Sequence, residues 1–224
     1  MIITIDGPVA SGKSTVARAL AQQLGYTYLN SGLLFRALAY IYVKERQASD
    51  EQIMHSAPQE IENIIYQGRI RYTYSLEQGA RVIIDETDMT SFLKDPAVDH
   101  AASLISLDPA VRQALLEYQR NFVQGKEAVI DGRDAGTVVF PHADLKLYLT
   151  ATLEVRAHRW QRDQLLKGNY VSLEESMHAL AERDKRDSTR SIAPLKPAYD
   201  ALILDTSSLT IQEVVSLIIE ALPR

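Results

Sequence analysis

The chain has 224 residues, 46% of them hydrophobic and 24% charged, which suits one globular domain of ordinary make-up, large enough for a sizeable core. A net charge of −5 and a pI near 5.6 speak against a protein whose main task is coating nucleic acid, because phosphate-backbone binders carry a basic surplus. Cysteine is absent, which excludes disulfides, thiolate metal sites and a cysteine nucleophile and is compatible with a reducing cytoplasm.

The first residues, MIITIDGPVA, lack a basic leader region and a long apolar stretch, and no window reaches about 18 uninterrupted apolar residues, so neither secretion nor a membrane span is expected. Residues 1–6 form a β-branched apolar run that stops at Gly7, the pattern of a buried strand. Val16, Ala17, Leu20, Ala21 and Leu24 then recur at helical spacing from Lys13 onward, and Gly25 supplies a stop. Further strands are expected at YTYL (26–29), EAVID (127–131), LKLYLTA (145–151) and ALILDT (201–206), with helices between them. That alternation predicts an α/β fold with a parallel sheet. RIRYTYS (69–75) and ARVIID (80–85) flank the short turn LEQG and predict an antiparallel pair, so residues from about 45 to 110 read as an insert. A charged helical stretch runs from about 155 to 192. Helix starts carry capping boxes at Ser49 with Gln52, Ser172 with Glu175 and Thr210 with Glu213, the last opening an amphipathic C-terminal helix.

GPVASGKS, Gly7 to Ser14, fills every fixed position of G-x-x-x-x-G-K-[ST], between an expected strand and an expected helix. Glycines at this spacing let Gly7, Pro8, Val9, Ala10, Ser11, Gly12, Lys13, Ser14 and Thr15 wrap a phosphate, at a helix N-terminus whose dipole favours anions. Lys13 would reach the β- and γ-phosphates of ATP, and Ser14 would hold Mg²⁺. Switches, motors and kinases share such a loop. A kinase for a small acceptor needs a second anion site, and arginines just past strand ends, Arg36 in NSGLLFR and Arg133 in DGRDAGTVVFP, are placed for one.

ERDKRDSTR (182–190) puts Arg183, Asp187 and Arg190 at i, i+4 and i+7 with Arg186 beside them, which reads either as a solvated helix face or as a cationic tool. Similarly, Asp131 and Asp134 could cap the turn after the third strand, Ser103 could be one more polar helix residue, and Arg112 a surface cation.

IDGPVASGKST, LNSGLLFRALA, IDGRDAGTVVFP and ERDKRDSTRSIAPLKPAYDALILDT together resemble the bacterial cytidylate kinase family, and the similarity runs from the first strand to the last helix. Phe35 stands where the family pattern has tyrosine, Leu34 beside it is bulky, and Ala135 replaces a larger aliphatic. The resemblance implies a P-loop NTPase fold with a five-stranded parallel sheet flanked by helices, a monophosphate-binding insert containing a small antiparallel sheet, and a mobile helical lid. It implies a nucleotide-binding core of residues 1–44, 108–155 and 192–224, a CMP-binding insert of 45–107 and a lid of 156–191. It further implies transfer of the ATP γ-phosphate to CMP or dCMP by a cytoplasmic monomer that binds neither nucleic acid nor membrane.

Carried over residue by residue, the resemblance has Arg36 and Arg133 grip the CMP phosphate with Ser31 beside them. Ser103, Arg112 and Asp134 face the cytosine, and Arg183 and Asp187 reach the ribose. Asp131 holds the magnesium water shell together with Ser14, and Arg156 and Arg159 lie near the adenine and phosphates. Lys13, Arg133, Arg183 and Arg190 supply the catalytic charge. Rival readings at this stage are a kinase for UMP, shikimate or a coenzyme precursor, and a nucleotide-triggered switch that hydrolyses ATP without an acceptor. The trio Ser103, Arg112 and Asp134 discriminates, since base-reading groups serve no purpose with a non-nucleotide acceptor.

Overall fold

The computed structural model describes residues 1–54, 58–166 and 168–223. Five strands, β1 (Ile2–Asp6), β2 (Thr27–Asn30), β6 (Ala128–Asp131), β7 (Leu145–Thr150) and β8 (Leu202–Asp205), form a parallel sheet in the order β2-β6-β1-β7-β8. Three more, β3 (Ile70–Ser75), β4 (Gly79–Ile84) and β5 (Thr87–Asp88), form a small antiparallel sheet in sequence order. The chain divides into two compact units, residues 1–24 with 129–224, and residues 25–128.

In the first unit β1 is the central strand. Ile3 and Ile5 are wholly buried, worth roughly 1.5–3 kcal/mol each by apolar transfer, and β1 pairs in register with β7 from Ile3 opposite Leu145 to Asp6 opposite Tyr148. The glycine loop leaves the carboxyl end of β1 and feeds α1 (Lys13–Leu24), which buries Val16, Ala17, Leu20 and Ala21. Two helices, α7 (Leu153–Leu165) and α8 (Leu173–Thr189), pack on each other, and α9 (Ile211–Glu220) closes the unit. The charged helical stretch of 155–192 is thus two helices, the second opening at the expected Ser172 capping box. Gly168, at φ +82°, stands in the turn that separates them.

In the second unit α2 (Ser31–Tyr40) follows β2 directly, its first turn held by the Asn30 side chain accepting from the Leu33 amide at 3.1 Å. α3 (Asp50–Met54) and α4 (Pro58–Tyr66) precede the hairpin. α5 (Pro96–Ile105) and α6 (Pro109–Val123) each start at an aspartate cap, Asp95 and Asp108, followed by proline. The β3–β4 register runs from Ile70 opposite Ile84 to Ser75 opposite Gly79, which places Tyr72 and Val82 in the core. All three expected capping pairs form: Ser49–Gln52, Ser172–Glu175 and Thr210–Glu213.

Candidate active site

The glycine loop is shaped by close approach as much as by dihedral freedom. A Cβ on Gly7, at φ +150°, would stand 2.1 Å from the Leu149 carbonyl oxygen, so only hydrogen fits there. Ala10 (φ +58°) and Gly12 (φ +90°) turn the chain further into the left-handed region. Lys13, 7% exposed, donates from Nζ to the Pro8 carbonyl at 2.9 Å, bridging the mouth of the loop. Burial, with Arg133 next in effect, holds its ammonium well below the usual lysine range, while Asp131 and Asp187 oppose that shift. A lysine so placed is poorly satisfied by protein alone, which suits a partner carrying negative charge. The Ser14 hydroxyl donates to Asp131 Oδ2, and Asp131 at the end of β6 is 2% exposed. A hydroxyl and a carboxylate in contact beside the loop are hard oxygen donors of the kind that magnesium takes, so the residues present fit that ion. Among the described residues no cluster of three or more His, Cys, Asp or Glu side chains forms a metal cage.

The segment after β6 meets the end of α8 through two opposed ion pairs. Arg133 Nε donates to Asp187 Oδ2 at 2.9 Å, and Arg190 Nη2 lies 3.5 Å from Asp134 Oδ1. All four side chains are one-fifth exposed or less. Burial pushes the Asp187 carboxyl up, but Arg133, with Arg183 and Arg190, pulls harder and holds it below the usual carboxylate range. Arg183 is half-buried on the same helix and acts electrostatically on both Lys13 and Asp187. The stripe is therefore a buried charge network rather than a solvated face. One detail differs from the sequence expectation: Arg190 is not on the helix. α8 ends at Thr189, and Arg190 takes an extended backbone conformation. The chain then folds back, with Ala193 at φ +49°, so that the Leu195 amide donates to the Asp187 carbonyl at 2.8 Å and Arg190 Nε to the Ala193 carbonyl at 2.6 Å.

Arg156, 7% exposed on α7, donates from Nη1 to Asp184 at 2.5 Å and to the Val9 carbonyl at 3.2 Å, and Asp184 also accepts from the Val9 amide at 3.4 Å. One carboxylate thus joins α7, α8 and the glycine loop. Arg159 instead reaches Thr206, Nη1 to its hydroxyl at 3.0 Å and Nη2 to its carbonyl at 2.6 Å, while the Thr206 hydroxyl donates to the Ser11 carbonyl at 3.0 Å. Asp6, 3% exposed, accepts from the Ala135 amide at 2.8 Å and the Gly136 amide at 2.7 Å, which anchors the turn that carries Arg133 and Asp134.

The second unit assembles the remaining candidates. Ser31, at the first position of α2, donates to Gln119 Oε1 at 2.5 Å. Arg36, one turn on, pairs with Asp99 of α5 at 2.6 Å. The Arg112 guanidinium lies 5.6 Å from the Phe35 ring centroid and donates to the Ser106 carbonyl at 3.0 Å, and Ser106 in turn donates to the Ser103 carbonyl at 2.9 Å. Ser103 and Arg112 are both buried, so neither is a mere surface residue.

Sequence reading missed Asp6, Asp99, Gln119, Asp184 and Thr206. Asp184 lies within ERDKRDSTR and Asp99 within the insert, but they have partners 175 and 63 residues away in sequence, so no local spacing marks those pairings. A buried aspartate at the end of an apolar strand, as in MIITID, is the one local signal that was available, because a strand interior rarely carries a carboxylate without a bonding reason.

The family model described as cytidylate kinase matches residues 3–224. The cytidylate kinase of Carboxydothermus hydrogenoformans is 38% identical over 224 residues, covering 100% of this chain and 98% of the relative. That of Thermotoga maritima is 42% identical over 218 residues, covering 97% of this chain and 94% of the relative. Among solved structures, an uncharacterized protein from Eubacterium ventriosum aligns at a TM-score of 0.54 over 99% of this chain and 97% of that one, at 11% identity, a likeness of fold alone. A glycine loop, an arginine-rich helix end and a match that begins in β1 and runs to the last residue place this chain in the cytidylate kinase family.

Proposed function

We propose that the protein transfers the γ-phosphate of ATP to CMP or dCMP, giving ADP and CDP or dCDP. The observation that carries this reading is the network in which Lys13, Ser14 and Asp131 at the glycine loop share one unit with the paired Arg133–Asp187 and Arg190–Asp134. In this reading residues 45–107 serve the acceptor nucleotide and 156–191 form the lid.

An acceptor phosphate has a second pKa near ~6, so at neutral pH its attacking oxygen is already mostly an anion and no general base is needed. That oxygen forms the new bond to the γ-phosphorus while the bond to the β–γ bridging oxygen breaks and ADP leaves. The barrier is crowding of negative charge, and the work of the protein is positioning and cation supply. Loop amides and Lys13 cradle the donor phosphates. Ser14 and Asp131 would hold magnesium, which would supply positive charge against the donor phosphates. Arg36 and Arg133, with Ser31, hold the acceptor phosphate. Arg183 and Arg190 add charge where it develops, and Asp187, kept ionised by its arginines, is a ready acceptor for a sugar hydroxyl. Arg156 and Arg159, tied to Val9 and Thr206, face the donor nucleotide. Cytosine offers an amino donor beside two acceptors, which Asp134 can accept from and Arg112 and Ser103 can donate to.

The test is ADP release from Mg-ATP with a panel of CMP, dCMP, UMP, AMP, GMP and shikimate. CMP and dCMP are expected to support turnover well above the rest. Equal ADP release without any acceptor would instead identify a nucleotide-triggered ATPase.

A further inference from the structure

A phosphate-gripping arginine works well only when its fork is already aimed, and two features in the second unit aim Arg36. Asp99 Oδ1 accepts from both Arg36 Nε (3.1 Å) and Arg36 Nη2 (2.6 Å). Nε and Nη2 form one edge of the guanidinium, so this contact turns the opposite edge, which carries Nη1, away from α5. The second feature is Gly32: a Cβ there would lie 3.1 Å from Arg36 Nη1 and 3.1 Å from Asn30 Oδ1. Nη1 therefore rests against the first turn of α2, in space that any side chain at position 32 would crowd. Ser31 stands in the same turn, its hydroxyl directed by Gln119, itself 2% exposed and fixed by donation to the Leu115 carbonyl at 3.0 Å.

We propose that Asp99 is a positioning residue for the acceptor phosphate: it locks Arg36 with its outer edge at the start of α2, beside Ser31, so that the phosphomonoester dianion meets a preset fork. The inference rests on the acceptor being a nucleoside monophosphate. Asp99 is assigned no contact with a reacting atom and acts on the acceptor through Arg36. A structural purpose explains the pair poorly, because its side chains are 28% and 33% exposed and ion pairs that wet contribute little to stability. Two effects of the carboxylate oppose each other. Its negative charge weakens the attraction of the site for a dianion, and its hold on Nε and Nη2 removes the rotamer freedom that binding would otherwise have to freeze. The contact along one full edge decides for the second, since it leaves the phosphate-facing edge intact.

The experiment is steady-state kinetics on the full chain, with CMP and ATP varied in turn. Asp99→Asn and Asp99→Ala are expected to raise KM for CMP by ~10- to 100-fold, the worth of a charge-assisted hydrogen bond, with KM for ATP within about twofold of wild type. Asp99→Ala introduced into Arg36→Ala is expected to change nothing further, a result that a purely structural role would not give. Gly32→Ala leaves Asp99 in place, suits a helix, and should produce the same CMP-confined defect, with melting changed only by what crowding of the Asn30 cap costs. It carries the test if an Asp99 variant does not fold. An unchanged or lowered KM for CMP, equal losses for CMP and ATP, or an undiminished Asp99→Ala effect without Arg36 overturns the proposal. Wild-type protein inert toward every nucleoside monophosphate would bring down the functional reading and this inference with it. Wild-type turnover of CMP with variants that match it would bring down this inference alone.

Discussion

The glycine loop and the end of α8 both handle charge in the first unit, and they are built by opposite means. The loop works with backbone groups, and its side chains are chosen mostly for what they leave out: no Cβ at Gly7 against the Leu149 carbonyl, and left-handed turns at Ala10 and Gly12. The end of α8 works with side chains whose partners come from far along the chain, Asp187 to Arg133 across 54 residues and Asp184 to the Val9 amide across 175. A backbone site announces itself within eight consecutive letters, even where the reason for one of them, Gly7, lies in a distant strand. A side-chain network carries only half of each reason in any one stretch, so its members are legible and its pairings are not.

The comparison is broken most directly at Lys13, the cationic side chain of the loop. Lys13→Ala is expected to cut kcat by ~10³-fold or more, because no neighbouring group replaces a cation aimed at the transferring phosphoryl. The fold should survive, since the lysine makes one hydrogen bond to the Pro8 carbonyl and removing a buried ammonium relieves its desolvation. Turnover within tenfold of wild type, together with normal melting, would show that the loop amides suffice alone.

At the α8 end the losses should be divided rather than total. Arg190→Ala is expected to lower kcat by ~10²-fold with KM for either substrate changed by less than about fivefold, as befits a charge that matters where charge develops. An effect confined to KM would make Arg190 a ground-state binding group instead. Asp134→Ala also removes the carboxylate that faces Arg190 at 3.5 Å, so some loss with every acceptor is expected. The discriminating number is the ratio of kcat/KM for CMP to that for UMP. Uracil presents an acceptor where cytosine presents its amino group, so the ratio should fall by at least ~10-fold, in line with the discrimination that buried polar groups provide. A ratio that survives assigns base reading to Ser103 and Arg112.

The legible part of the fold and its residual errors follow the same division. Strand positions came within one residue, because β-branched runs ending at glycine or aspartate are local signals; β2 was expected at 26–29 and lies at Thr27–Asn30. The hairpin 70–84 and three capping boxes were readable for the same reason. The break within the charged stretch 155–192 is legible at one side only: the Ser172 capping box marks where the second helix opens, while no expected stop marks the end of the first, which the left-handed Gly168 follows. Arg190 reads as the next member of a helical stripe, whereas the helix ends one residue earlier and the chain folds back to set the Leu195 amide on the Asp187 carbonyl. Asp99 and Gln119 escaped entirely, since each is defined by a partner on another helix, Arg36 and Ser31.

Asp6 joins the two modes of construction, a side chain that holds backbone, and it offers the mildest test. Burial raises its pKa from 3.8 to about 6, against the opposing pull of the Gly136 and Ala135 amides. Asp134 adds to the rise, and Arg133 subtracts from it. An acid whose folded pKa lies above its unfolded value binds its proton more tightly in the native state. Between about pH 4 and pH 6 the native chain therefore holds more protons at this site than the unfolded chain, and the contribution of Asp6 to stability falls as pH rises through that window. Two pK units correspond to about 3 kcal/mol, an upper figure for a group so deeply buried. Asp6→Asn removes the titration but can offer its single oxygen to only one of the two amides, which costs about 1–3 kcal/mol at every pH. The variant should accordingly melt below wild type at pH 4.5, and the gap should narrow steadily toward pH 7 as wild type loses its protonated form. Taking the difference between the two proteins cancels the opposite trend from the other carboxylates, including Asp187, whose pairing with Arg133 strengthens as it ionises. A gap in Tm that stays constant from pH 4.5 to pH 7, or widens, would mean that Asp6 is ionised throughout and that the two amides outweigh its burial.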